Sequence, residues 1–229
     1  MQDDCTQYGE SIRRVGARVV MPGPRARRWR LPACALGLAL LLAGCGGVTQ
    51  RPPADDLTQA QLVASCAFPA LDGNGQRADD IPRANTPGCA YTAFPAPVLA
   101  GCREPLAAGA PDMRGVWRDP REPGAHIERI EQCGDRLVVT AGGIVHDMRV
   151  DGTYENGVND VAARDCSPIS VSAAFEAGTH VLRPKGIPVT VTRRLDGARL
   201  VWKHPSGNYV LERVCGPGSP PAAGASFAR

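Results

Sequence analysis

The 229-residue chain carries 26 Lys and Arg against 23 Asp and Glu, with 43% hydrophobic and 21% charged residues. That balance supports a folded core in one or two domains and excludes wholesale disorder, while an aromatic content of 5% argues against a large aromatic ligand cage. The formal net charge of +3 arises in residues 1–44, which hold seven Arg and three acids. The other 19 basic and 20 acidic groups leave the rest near neutral, with no electrostatic case for binding nucleic acid.

Residues 1–20 are mixed and polar, with Asp3, Asp4 and Glu10, and precede a second methionine, Met21. Translation is expected to begin at Met21; a long n-region carrying Arg13, Arg14 and Arg18 is the other reading. Residues 21–44 have the build of a signal peptide: Arg25, Arg27, Arg28 and Arg30 precede an apolar run from Leu31 to Ala43. As a helix that run reaches roughly 20 Å, short of a ~30 Å hydrocarbon core. It ends in Leu42-Ala43-Gly44-Cys45, which resembles the lipobox of bacterial lipoproteins. The resemblance implies diacylglyceryl transfer to the Cys45 sulfur, cleavage after Gly44, and acylation of the new N-terminus with fatty chains such as palmitate. Several chains together anchor stably where one gives marginal binding. The alternative is an ordinary secretory signal with Cys45 as a half-cystine. Gly46 in place of Asp implies, by resemblance to bacterial sorting rules, an outer-membrane position facing the periplasm.

Residues 45–56 read as lipid anchor and tether, with Pro52-Pro53 in a short polar spacer. Residues 57–111 are rich in Pro, Ala and Gly. They open with a short helix over Leu57–Cys66, for which Asp56 is the expected cap. Asp72-Gly73-Asn74-Gly75 fails the calcium-loop template, because Arg77 and Arg83 stand where Gly and an acid are needed, and reads as a turn.

Six of the nine cysteines remain once Cys5, Cys34 and Cys45 are set aside: Cys66, Cys89, Cys102, Cys133, Cys166 and Cys215. An even count in an oxidising compartment predicts three disulfides, with fifteen pairings open. Three of the six precede residue 112, so full pairing requires at least one bridge between the two segments. Metal binding finds no support: no C-x2-C spacing occurs, and His126, His146, His180 and His204 are scattered.

Residues 112–215 change texture to short β-branched runs between turn residues, the mark of an antiparallel barrel or sandwich. Strands are predicted at 114–118, 126–133, 136–141, 144–150, 167–175, 179–183, 188–195, 198–204 and 208–214. Gly134-Asp135 marks one hairpin, grouping Ile130, Leu137 and Val139. Asp196-Gly197 marks another, pairing Leu195 with Ala198 and Arg193 with Leu200. Its apolar face carries Val189, Val191, Leu195, Leu200 and Trp202. Asp151-Gly152 and Asn156-Gly157 lie too close for two full turns and read as one irregular loop. Residues 216–229 read as a disordered tail.

Gly115-Val116-Trp117 on the first strand and Arg213 on the last resemble the calycin pattern of lipocalins and related small barrels. The resemblance implies an up-and-down barrel whose floor is Gly115 and Trp117, covered by Arg213 through a cation–π contact. It also implies a cavity for a small apolar or amphipathic ligand, walled by Val189, Val191, Leu195, Leu200 and Trp202. Arg193 falls on the same face. It either meets a carboxylate inside the cavity or sits solvated at the rim, and the rim is the preferred place. The domain is shorter than a typical lipocalin, which leaves a reduced barrel or a sandwich open.

No nucleophile elbow, zinc-protease helix, phosphate loop or dinucleotide fingerprint is present. His146 and Asp147, adjacent on a strand, point to opposite faces. Asp147, Asp151, Glu155 and Asp160 form an acidic run that reads as a solvated loop. The chain is therefore expected to be a non-enzymatic, cofactor-free envelope lipoprotein. Its partners are the bilayer, through Cys45, and a small apolar ligand or an envelope protein. The competing expectations are a structural or assembly accessory and an inhibitor of a wall-degrading enzyme. Small β-barrel lysozyme inhibitors carry a Ser-Gly-x-x-Tyr loop that Ser206-Gly207-Asn208-Tyr209 resembles, one residue short.

Overall fold

Alternation along nine short runs and Gly-bearing turns between them dictate hairpins, and hairpins dominate the fold. A computed structural model describes residues 57–121, 126–163 and 165–219. The expected signal peptide, lipidation site Cys45, tether, Asp56 cap and tail from residue 220 lie outside the described residues.

The first element, α1 (Gln59–Ser65), starts at Thr58. Its hydroxyl accepts from the Gln61 amide, and the Gln61 side chain accepts from the Thr58 amide. This reciprocal capping box sits two residues past the expected cap. Ten strands follow: β1 (Gly115–Arg118), β2 (Ile127–Cys133), β3 (Arg136–Ala141), β4 (Ile144–Arg149), β5 (Val158–Val161), β6 (Pro168–Glu176), β7 (Thr179–Pro184), β8 (Val191–Asp196), β9 (Arg199–His204) and β10 (Gly207–Cys215). They form one antiparallel up-and-down sheet in the order β4-β3-β2-β1-β10-β9-β8-β7-β6-β5, curled into a nearly closed barrel compatible with a calycin-like fold.

The Gly134-Asp135 hairpin forms as expected, with Cys133 opposite Arg136 and Ile130 opposite Val139. In the β8–β9 hairpin the register is displaced by two. Asp196 pairs Arg199, so the turn is Gly197-Ala198, and Leu195 faces Leu200 while Arg193 faces Trp202. A two-residue shift keeps every side chain on its expected face. Val189 is corrected to the β7–β8 loop, half-buried and outside any strand. Strand β5 was not expected: four residues between a turn and a polar loop give too short a pattern to read. Residues 216–219 are ordered by reciprocal amide–carbonyl bonds between Gly216 and Ser219, so the expected tail does not begin at 216.

Side chains alternate between two cores. Trp117, Ile130, Leu137, Met148, Leu200 and Leu211 fill one part of the interior and are fully buried. On the outside of β1–β4, Val116, Ile127, Val138 and Val145 pack under Leu62, Phe94 and Leu99 of the segment before the barrel. That segment is pinned by two buried arginines. Arg129 reaches Ser65 Oγ and the carbonyls of Pro95 and Ala96, paired with Glu131. Arg136 grips both oxygens of Asp147 at 2.8 and 2.6 Å and the carbonyls of Ala78, Ile81 and Pro82. Backbone carbonyls of an irregular segment need donors once buried, and a guanidinium supplies several in one plane.

All three bridges join this segment to the barrel: Cys66–Cys215, Cys89–Cys166 and Cys102–Cys133. Parity required one such bridge; the fold uses three, because the wrapped segment touches the barrel at three separate places.

Candidate functional site

Cross-strand pairing sets five inward residues in one transverse row: Phe175 opposite His180, His180 opposite Arg193, Arg193 opposite Trp202, and Trp202 opposite Tyr209. Neighbours in such a row have Cβ atoms about 5 Å apart. Apolar rows flank it, Ala173–Leu182–Val191 on one side and Leu195–Leu200–Leu211 on the other. The belt is therefore a polar and aromatic band inside an otherwise apolar wall.

Glu128 of β2 completes the belt from across the interior. Arg193 Nε donates to Glu128 Oε1 at 3.0 Å and to Oε2 at 3.2 Å, and Nη2 donates to Oε2 at 2.9 Å. Glu128 is 0% exposed and Arg193 6%. The rim position expected for Arg193 is thus corrected: the chain supplies its own carboxylate, since a cation at that depth must be paired. His126 Nε2 lies 3.2 Å from Glu128 Oε2. Trp202 is sandwiched between the rings of His126 (centroids 4.4 Å, 22°) and Tyr209 (4.7 Å, 28°), with His204 at 5.1 Å and the Arg193 guanidinium 5.4 Å from its centre.

Burial opposes the charge on Glu128, but the Arg193 cation and the His126 contact overcome it and lower its pKa to about 2. Burial, reinforced by Arg193, lowers His146 to about 4 and His180 to about 3, so both rings are neutral at pH 7. His204 is lowered by burial and by the same cation. His146, His180 and His204, scattered along the sequence, thus meet the field of one arginine.

Four ring nitrogens are shut off from solvent without a hydrogen-bond partner among the described residues: His146 Nδ1, both nitrogens of His180, and Trp202 Nε1. Each such group costs about 1–3 kcal/mol unless another molecule satisfies it. Among the described residues no three His, Cys, Asp or Glu side chains are placed to hold a metal ion.

The remaining expected positions separate from the belt. Arg213 lies 4.4 Å over the Trp117 ring, whose Nε1 donates to the Met113 carbonyl, and a Cβ added at Gly115 would lie 3.0 Å from that indole nitrogen. Leu200 is buried in the filled part of the interior, with Leu195 and Val191 packed partly against it. Asp147 points outward to Arg136, as its strand parity requires. Asp151 caps its own turn through Thr153 and Asn156, and Asp160 accepts from Thr86, so these acids do not converge. Ser206 Oγ lies 2.7 Å from His204 Nδ1 and 3.0 Å from Tyr209 Oη at the exposed β9–β10 turn.

Reasoning on the sequence missed Glu128, His126, His146 and His180. The signal was there in the alternation: Glu128 shares its face with Ile130, His146 with Met148 and His180 with Leu182. A titratable group on an apolar face demands an inward partner. No protein-family model matches the chain, and no curated protein matches it.

Proposed function

We propose that the chain is a lipid-anchored protein of the bacterial envelope, held to the outer membrane through acylated Cys45. Its calycin-like barrel is a non-catalytic binding module for a small amphipathic molecule. The observation that carries the binding reading is the set of four unpartnered ring nitrogens on three residues around Arg193. A purely apolar ligand would leave them unpaired. A molecule with a polar, hydrogen-bonding end satisfies them and lays its apolar part along the flanking rows. Paired charges in the belt already balance, so no charge on the ligand is required. The six paired cysteines support an oxidising location.

The anchor is tested by intact mass of the chain extracted from envelopes. The expected product begins at Cys45 and carries acyl chains, and Cys45→Ala remains unacylated; an unprocessed chain with free thiols overturns the reading. The binding module is tested by native mass spectrometry of the same extract. A co-purified lipid-sized mass is expected, and it is lost in His180→Leu/Trp202→Phe protein that retains its circular dichroism. Wild-type protein without such a mass counts against a ligand and in favour of an assembly role.

A further inference from the structure

Among the described residues, strand pairing does not close the barrel. Strands β4 and β5 end the sheet. Near the seam between them, Arg149 N donates to Asn156 O at 2.8 Å, at one end. Along the rest, residues 83–91 lie as a strap bonded to both lips. On the β4 side, Ala84 N donates to Asp147 Oδ2 (2.9 Å), Val145 N to Thr86 Oγ1 (3.0 Å), and Tyr91 N to Gly143 O (2.8 Å). On the β5 side, Thr86 donates through N (3.0 Å) and Oγ1 (2.6 Å) to Asp160 Oδ2, and Arg83 donates to Asn156 O (2.7 Å). The Thr86 hydroxyl therefore links the two lips. The covalent lock is Cys89–Cys166, which ties the strap to the β5–β6 loop.

The three bridges differ in access. Cys102 and Cys133 are both 0% exposed, and Cys215 is 2% exposed beside half-buried Cys66. Cys166 is exposed and Cys89 half-buried, with Cys166 held in the left-handed backbone region at φ +59°. The strap is anchored before its start by Arg136 on residues 78–82 and at its far end by buried Tyr91 and, beyond it, Phe94. Between those anchors it is held by polar bonds, by the packing of Ala84 on the outer core and by one accessible disulfide.

We propose that Cys89–Cys166 is a thiol–disulfide exchange site, and that its reduction by a dithiol frees the strap and opens the β4–β5 seam. A thiolate of the dithiol attacks Cys166 Sγ, forming a mixed disulfide as Cys89 leaves as thiolate and takes up a proton. The second thiol of the reductant displaces Cys166, which leaves as thiolate and is protonated, and the dithiol ends as its own disulfide. Exposure governs which bridge reacts first. Only one consequence rests on the binding reading: an open seam admits ligand sideways to the belt.

The test is stepwise reduction of the full processed chain with dithiothreitol, read by differential alkylation and by amide hydrogen exchange, with no ligand involved. Cys89 and Cys166 are expected to be alkylated about tenfold faster than the other four. At that stage the amides of Ala84, Thr86 and Val145 exchange faster, while Ile130 and Val139 stay protected. Another bridge opening first, or unchanged exchange at Thr86 and Val145 after selective reduction, overturns the proposal. Cys89→Ser/Cys166→Ser protein should show the same three fast amides without reductant. If that variant does not fold, the wild-type order of reduction and exchange decides.

Discussion

Glu128 and Arg193, 65 residues apart, meet side-on inside the barrel with both carboxylate oxygens engaged and neither group open to water. Removing one partner strands the other. Arg193→Met is expected to destabilise by about 3–5 kcal/mol in urea unfolding, whereas Glu128→Leu/Arg193→Met together cost far less, because no uncompensated charge remains. A double-variant loss equal to the sum of the separate Arg193→Met and Glu128→Leu losses would show that the pair is not energetically coupled.

Acid should unfold this protein early, and the sign follows from the groups themselves. Unfolded His146 and His180 protonate near 6.5, but the folded rings resist until about 4 and 3, so stability falls as pH drops below 6.5. Glu128 stays ionised to about 2 when folded against 4.5 unfolded, so its contribution, full above 4.5, is lost as pH falls through 2. Chemical denaturation between pH 7 and 3 is expected to show a continuous decline. His180→Leu should flatten the limb between 6.5 and about 3 and, by removing two unpaired nitrogens, leave stability at pH 7 unchanged or raised.

Two glycines rank by what surrounds them. A Cβ at Gly157 would sit 1.9 Å from the Val171 carbonyl oxygen, a backbone atom that cannot step aside without breaking the β5–β6 ladder. At Gly115 the closest atoms lie at 3.0 Å, the Cys215 carbonyl and the Trp117 indole nitrogen. Gly115→Ala should cost about 1–3 kcal/mol and perturb the near-ultraviolet signal of Trp117, and Gly157→Ala should cost more. The reverse order in melting experiments would contradict the packing described.

Loop length orders the two buried disulfides. Cys66–Cys215 spans 149 residues and Cys102–Cys133 spans 31. Replacing each pair by Ala should cost about 5 and about 4 kcal/mol respectively, by the chain-entropy relation. Denaturant midpoints of the two variants check the order.

Arg136→Lys keeps a charge for Asp147 but loses the planar fork that holds the carbonyls of Ala78, Ile81 and Pro82. It should destabilise by about 2–3 kcal/mol and raise amide exchange over residues 78–86 more than in the β2–β3 hairpin. Uniform exchange changes would mean that the clamp is not local.

Local chemistry made much of the barrel readable. Gly134 and Gly197 sit at turns with φ +58° and +59°, so glycine located both hairpins, and period-two alternation put Leu195, Leu200 and Trp202 on the inner face. The same local chemistry misled by two residues at Asp196, because Asp-Gly and Gly-Ala turns satisfy the pattern equally. Only cross-strand pairing with β7 and β10 distinguishes them.

What the sequence settled alone is what depends on neighbours in the chain: the basic-then-apolar pattern ending in Leu42-Ala43-Gly44-Cys45, the six cysteines after it, the strand faces. Tertiary structure decided which cysteines meet, that Thr86 spans the seam, and that the histidines gather around Arg193. Those outcomes depend on how the sheet curls and on which face the wrapped segment covers. No local period carries that information.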